Sequence, residues 1–151
     1  MNGPSLLKLR ATDKQDLGIL SAYLQDAVIA VKEMIFLTGE KRFVFVANRF
    51  RWEDKPSAEK RGRPFERVQS LLVIDMVQGV ASQGIERHDK ELILSLLSID
   101  FEPAEDGAGH VLLTLAGDGS LRLTVEALEV SLRDVTRPYV AASKNPPRHG
   151  D

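Results

Sequence analysis

Between His110 and Asp134 the chain reads HVLLTLAGDGSLRLTVEALEVSLRD, two alternating apolar and polar runs that meet at Gly117-Asp118-Gly119. Val111, Leu113 and Leu115 share one face of the first run, and Leu121, Leu123, Val125 and Ala127 one face of the second. This is the alternation of half-buried strands, and it predicts a β-hairpin. The glycines flanking Asp118 are expected to supply the positive φ of a tight reversal. After Ala127 the apolar set becomes Leu128, Val130 and Leu132. The phase slips there, so a β-bulge or a bend between two strands is expected near Glu126 to Leu128.

One helix is signalled upstream, over Asp13 to Leu24. Thr12 is the expected cap, with Gln15 three residues on as in a capping box and Asp13 and Asp16 in the first turn. Leu17, Leu20 and Leu24 recur at helical spacing and should lie on a sheet. Strand signals follow at Val28 to Val31 and Met34 to Leu37, with a polar turn over Thr38 to Lys41. Arg42 to Phe50 then alternates Phe43 and Phe45 with Val44 and Val46, so both faces are apolar, as in a central or sandwiched strand. Glu53 to Pro64, EDKPSAEKRGRP, has little to bury and two prolines, and is expected to be a mobile surface loop. Val68 to Val77 reads as a strand, broken at Gln78-Gly79 and resuming through Ile85. A charged turn over 86–90 leads to a strand from Leu92 to Phe101, and an acidic turn over 102–109 leads into the hairpin. These patterns predict a mainly β (α+β) fold, an antiparallel two-sheet sandwich or barrel-like domain of about seven to nine strands with one N-terminal helix. The expected organisation is a single globular domain over 1–140 and a disordered polar tail over 141–151.

Composition narrows the function classes. The chain has 151 residues, 43% of them apolar and 28% charged, which suits one soluble domain able to bury a core of its own. It contains no cysteine. Disulfides, thiol nucleophiles, iron–sulfur clusters and cysteine zinc sites are thereby excluded. No signal-peptide pattern and no membrane-length apolar run is present, so a cytoplasmic protein without membrane contact is expected. The net charge is −2, but residues 41–67 hold nine basic residues against four acids, leaving +5 there and −7 elsewhere.

Candidate chemistry is sparse. His88 lies in a charged turn, His110 opens a hairpin strand and His149 sits in the tail; none has a nucleophile or orienting group nearby in sequence. Metal-ligand spacings are absent, and Glu102, Glu105 and Asp106 lack the ligand pattern of a calcium loop. Gly117-Asp118-Gly119 joins two strands instead of opening a helix and carries no Walker lysine, so a phosphate cradle is not indicated. No metal or cofactor is therefore expected. Acids assembled in space would escape any sequence pattern, which leaves an enzyme with paired carboxylates open.

The basic stretch supplies the site candidates. Arg49, Arg51 and Trp52, with Lys60, Arg61 and Arg63 on the following loop, would suit phosphate, nucleic acid or an acidic protein surface. The competing reading packs Phe50 into the core and neutralises the arginines with Glu53, Asp54, Glu59 and Glu66.

Three passages, LSAYLQDAV at 20–28, EKRFVFVANRFRWE at 40–53 and LRLTVEALEVSLRDVTRPY at 121–139, are similar to the alphaproteobacterial domain of unknown function 2948. The resemblance implies a small bacterial cytosolic protein and supplies no catalytic residues. Together these readings lead to the expectation of a non-enzymatic protein-interaction module that meets an unknown protein partner, or a copy of itself, through a strand edge or the basic face. The alternatives are a nucleic-acid or anionic-ligand binder through 41–67 and a carboxylate enzyme.

Overall fold

The computed structural model describes residues 6–140 apart from 87 and 90. Among them are eleven strands and two helices: β1 (Lys8–Ala11), α1 (Lys14–Tyr23), β2 (Ala27–Ala30), β3 (Ile35–Leu37), β4 (Arg42–Phe50), α2 (Lys55–Arg61), β5 (Glu66–Ile74), β6 (Val77–Gln83), β7 (Ile93–Pro103), β8 (Gly109–Leu115), β9 (Ser120–Val125), β10 (Val130–Asp134) and β11 (Tyr139–Val140). All pairings are antiparallel, in the order β1-β10-β5-β4-β2-β7-β8-β9-β6, with β11 added to β5 and β3 to β4. The fold is thus mostly antiparallel β, as the alternation predicts. It differs from the expectation in being one continuous, unclosed sheet instead of two, with more strands than seven to nine and a second helix.

The hairpin forms as read. β8 pairs with β9 from Gly109 opposite Val125 to Thr114 opposite Ser120. Within its turn Gly117 and Asp118 take φ of 80° and 69°, so the left-handed positions are Gly117 and Asp118, not the two glycines. The phase slip marks a bend. β9 pairs with β8 and β6, whereas β10, four residues later, pairs with β5 and β1, and the slip lets Val125, Leu128 and Val130 all reach the core. The partner strand breaks at the matching place, where Met76 takes φ of 58° between β5 and β6, with a register shift between Val77 and Gly79. The interruption expected at Gln78-Gly79 is therefore a bulge, and the true break lies at 75–76.

The inner sheet face buries Phe43, Phe45, Ala47, Leu72, Ile74, Leu96, Leu113, Leu123 and Leu132. α1 covers this core with Leu17, Leu20 and the following Leu24, all at most 1% exposed, and the Ile99 amide donates to Ser21 Oγ at 2.9 Å. Its cap is Asp13, whose carboxylate accepts from the Asp16 amide at 2.8 Å; Thr12, the expected cap, does not fill that role. The expected loop 53–64 is a further correction. Trp52–Asp54 forms a 3-10 turn and α2 follows, with Pro56 in its first turn and Gly62 closing it at φ of 62°. Proline at a helix start and glycine just past its end are favourable in both places. Buried Ala58 fastens α2 to the body of the protein. The expected disorder of 141–151 falls outside the described residues.

The cap assignment is open to test by urea denaturation. Asp13→Ala should lose about 1 kcal/mol of stability, the usual value of such a cap, while Thr12→Ala should stay within about 0.5 kcal/mol of the parent, as surface changes usually do. Equal losses would contradict the assignment.

Candidate functional site

Within β4, Arg49 has the parity of Phe43, Phe45 and Ala47, and its side chain enters the interior, where it is completely buried. A buried guanidinium is tolerated only when its donors and its charge are both answered. Nε donates to Ser70 Oγ and Asp134 Oδ1, each at 3.1 Å, and Nη2 reaches Asp134 Oδ2 at 3.0 Å. Glu53 closes the other side as a fork, 2.9 Å from Nη1 and 2.8 Å from Nη2, and the Phe50 carbonyl accepts from Nη1 at 3.5 Å. The Tyr23 ring centroid lies 5.7 Å from Cζ, within cation–π range. Burial opposes the charge on Arg49, but hydrogen bonds to Glu53 and Asp134 outweigh it, and its pKa is raised. Asp134 also accepts from Ser70 Oγ at 2.7 Å and from the Leu7 amide at 2.9 Å. One cluster therefore ties β1's approach, β4, β5, β10 and the 52–54 turn together.

The other candidates of the basic stretch are placed around it. Arg51 bonds Glu66 and lies 3.7 Å from Asp54 and 3.8 Å from Glu53. Arg63 grips Asp54 with two hydrogen bonds, of 2.8 and 2.6 Å. Those bonds, aided by the charge of Arg51, hold the Asp54 carboxyl below its ordinary range. Trp52 donates Nε1–H to the Gln25 carbonyl at 3.0 Å and packs edge-on against Phe50, with ring centroids 4.7 Å apart. Lys60 and Arg61 are exposed on the last turn of α2, a favourable end of a helix for cations, and have no ion-pair partner among the described residues. The structure therefore brings Arg49, Arg51, Trp52 and Arg63 into one internally satisfied lattice with acids, and leaves Lys60 and Arg61 apart from it.

The opposite sheet face is different in kind. Side chains of β5, β4, β2, β3 and the start of β7 that alternate with the core set point outward, and neither helix lies over them. Val46 stands opposite Leu71, Val44 opposite Val73 and Ile35, and Ala30 opposite Ile93. Exposure reaches 37% at Val28, 52% at Ile35 and 63% at Ile93, large values for such side chains on one face. A shallow hollow of about 160 Å³ lies among Val28, Ala30, Val46 and Ile93, with Asn48 and Glu33 at its margin. Polar groups close both ends of the band. At one end Arg42 Nε donates to Asp75 at 2.7 Å. At the other, Arg67 donates to the side chain and backbone carbonyls of Asn48, which in turn donates to the Tyr139 hydroxyl. The sequence carried the signal for this band, since β4 is apolar on both faces, but not the fact that the chain leaves one face open.

Two further concavities have limited chemistry. A cleft of about 340 Å³ between the β2–β3 corner and β6 is walled by Met34, Phe36, Phe43, Val80 and Ile85, with the Ser82 hydroxyl its polar side chain. A groove of about 430 Å³ on the outer face of β6, β9 and β8 holds Glu102 and Arg122, and Arg122 Nη2 lies 3.3 Å from His110 Nδ1. His88 is exposed, and His149 lies outside the described residues. Among the described residues no group of His, Asp and Glu is placed to hold a metal ion, and no helix is long and apolar enough to cross a membrane.

Two outcomes test the ion cluster. Arg49→Met should cost about 3–5 kcal/mol in chemical denaturation, because it strands the buried Asp134 carboxylate; a loss under about 1 kcal/mol would mean that the cluster contributes little. Asp54, with its pKa depressed from the ordinary 3.8, contributes stability that is present above that value and lost as pH falls through the depressed one. Asp54→Asn should therefore lower the melting temperature at neutral pH, with its gap to the parent narrowing progressively as the pH falls below 3.8.

Neither a curated protein nor a solved structure matches the chain. The family model described as "Protein of unknown function (DUF2948)" matches residues 7–149, nearly the whole length, and the chain accordingly belongs to that family.

Proposed function

We propose that the protein is a non-enzymatic protein-interaction module and that the uncovered apolar face of β5, β4, β2, β3 and the start of β7 is its binding surface. The supporting observation is the concentration of Val28, Ile35 and Ile93 at 37–63% exposure on one face, bordered at each end by polar clusters. A contiguous apolar patch with a polar rim is the usual mark of a surface that meets another protein. Neither the strand-edge route nor the basic-face route expected from sequence is as well supported. On the basic segment, Arg49, Arg51 and Arg63 already have carboxylate partners.

Lys60 and Arg61 favour a second reading, an anion or nucleic-acid contact at the end of α2, because both cations face outward. The enzyme reading, which needs paired carboxylates, has less support, since among the described residues the β6–β9–β8 groove has a single carboxylate, Glu102, in its wall.

Native crosslinking and capture separate the first two. Interaction through the sheet face predicts adducts that disappear with Ile93→Glu and persist with Lys60→Gln/Arg61→Gln. The reverse pattern, together with salt-sensitive heparin retention lost in the second variant, would transfer the function to α2.

A further inference from the structure

We infer that the partner of the open sheet face is a second copy of this chain, the two faces stacking to form a sandwich between molecules. This inference rests on the interaction reading above and names its partner.

The strand pattern supplies the first reason. Val44 and Val46 on β4 and Leu71 and Val73 on β5 are apolar on the side away from the core, although an antiparallel sheet with one solvated face ordinarily alternates apolar with polar. The core side of these strands is covered by α1 and the rest of the sheet, so the demand for burial is met once within the molecule and left unmet once. A facing sheet is the element that satisfies it, and packed sheets of this kind lie roughly 10 Å apart with interdigitated side chains.

Charge supplies the second reason. The outward residues of the band, Val28, Ile35, Val44, Val46, Leu71 and Ile93 among them, are all uncharged. In an isologous pair the same patch meets itself, so a charge near the two-fold axis would oppose its own copy. A band without charge is compatible with its own copy in any such stacking. The charged groups at its margin are of both signs: Arg42 with Asp75 at one end, Arg67 at the other, Glu33 beside the hollow and, along the β10 side, exposed Arg133 opposite Leu71.

Size sets the strength. Four strand positions (β5, β4, β2 with β3 in line with it, and β7) at about 4.8 Å spacing and about five residues at 3.3 Å rise give a plane of roughly 300 Å², against about 800 Å² per partner in a standard stable interface. Even with its polar rim included, this is below the standard size, so the pair is a weak, transient dimer and not a permanent one, to be sought over roughly the 10–500 μM range.

Sedimentation velocity of the full chain over that range tests the inference. The parent should move from monomer to dimer as it is concentrated, and Ile93→Glu and Val46→Glu should each weaken association at least tenfold. Lys60→Gln/Arg61→Gln should associate like the parent. Ile93 is 63% exposed, so its variant reports on the face even if Val46→Glu perturbs folding; a melting curve matching the parent's confirms that it is intact. A parent that stays monomeric at 500 μM overturns the inference, as does a dimer untouched by Ile93→Glu. In the monomeric case, crosslinked capture lost in Ile93→Glu would retain the interaction reading with a different partner, and no adduct at all would remove both.

Discussion

The guanidinium of Arg49 is the constraint around which the rest of the molecule is arranged. Placing a permanent charge at a fully buried position of a central strand obliges the chain to bring two carboxylates to it, and these come from very different distances along the sequence, one four residues on and the other 85. Asp134 arrives through β10 and Glu53 through the turn immediately after β4. Fixing Asp134 sets the position of β10 on β5 and, through the Leu7 amide, of the approach to β1. Fixing Glu53 turns the chain inward after Phe50, so that Trp52 caps the end of the sheet and α2 follows. A cluster of this kind adds less net stability than an apolar replacement of equal volume often does, but removing one partner from it is costly, and that asymmetry favours one arrangement of the strands.

The same constraint decides where the protein is free to act. A segment with a +5 balance reads as a binding surface until its partners are seen; once Arg49, Arg51 and Arg63 are joined to Glu53, Asp54, Glu66 and Asp134, most of that charge is internal to the fold. What is left unanswered is apolar. α1 serves the inner face of the sheet, and among the described residues no element serves the outer face of β4 and its neighbours. The interaction reading follows from that imbalance between what the strands present and what the chain covers.

Much of this was legible in the residues. The hairpin at 117–119, the boundaries of β4 and the break in phase near Ala127 all appear as alternation, because period-two patterns report directly which side chains share a face. The burial of Arg49 was legible too, since it has the parity of Phe43 and Phe45, but an arginine among charged neighbours reads as surface. α2 was missed because EDKPSAEKRGRP has almost no apolar stripe, and its helix rests on buried Ala58, the Arg63–Asp54 fork and the proline and glycine at its ends. The count of sheets was beyond reach: alternation shows that a face is apolar, not whether the same molecule covers it. The expected sandwich therefore became one sheet with an open face. Membership of the DUF2948 family adds no activity to this picture.

The claim that this face is covered in solution is most directly tested by hydroxyl-radical footprinting of the parent protein at low and high concentration. Oxidation of Val28, Ile35, Val46 and Ile93 should fall as the protein is concentrated, while that of exposed side chains on α2 and of Ile19, 52% exposed on α1, stays constant. Equal oxidation of the outer-face residues at both concentrations, or protection confined to α2, would contradict it.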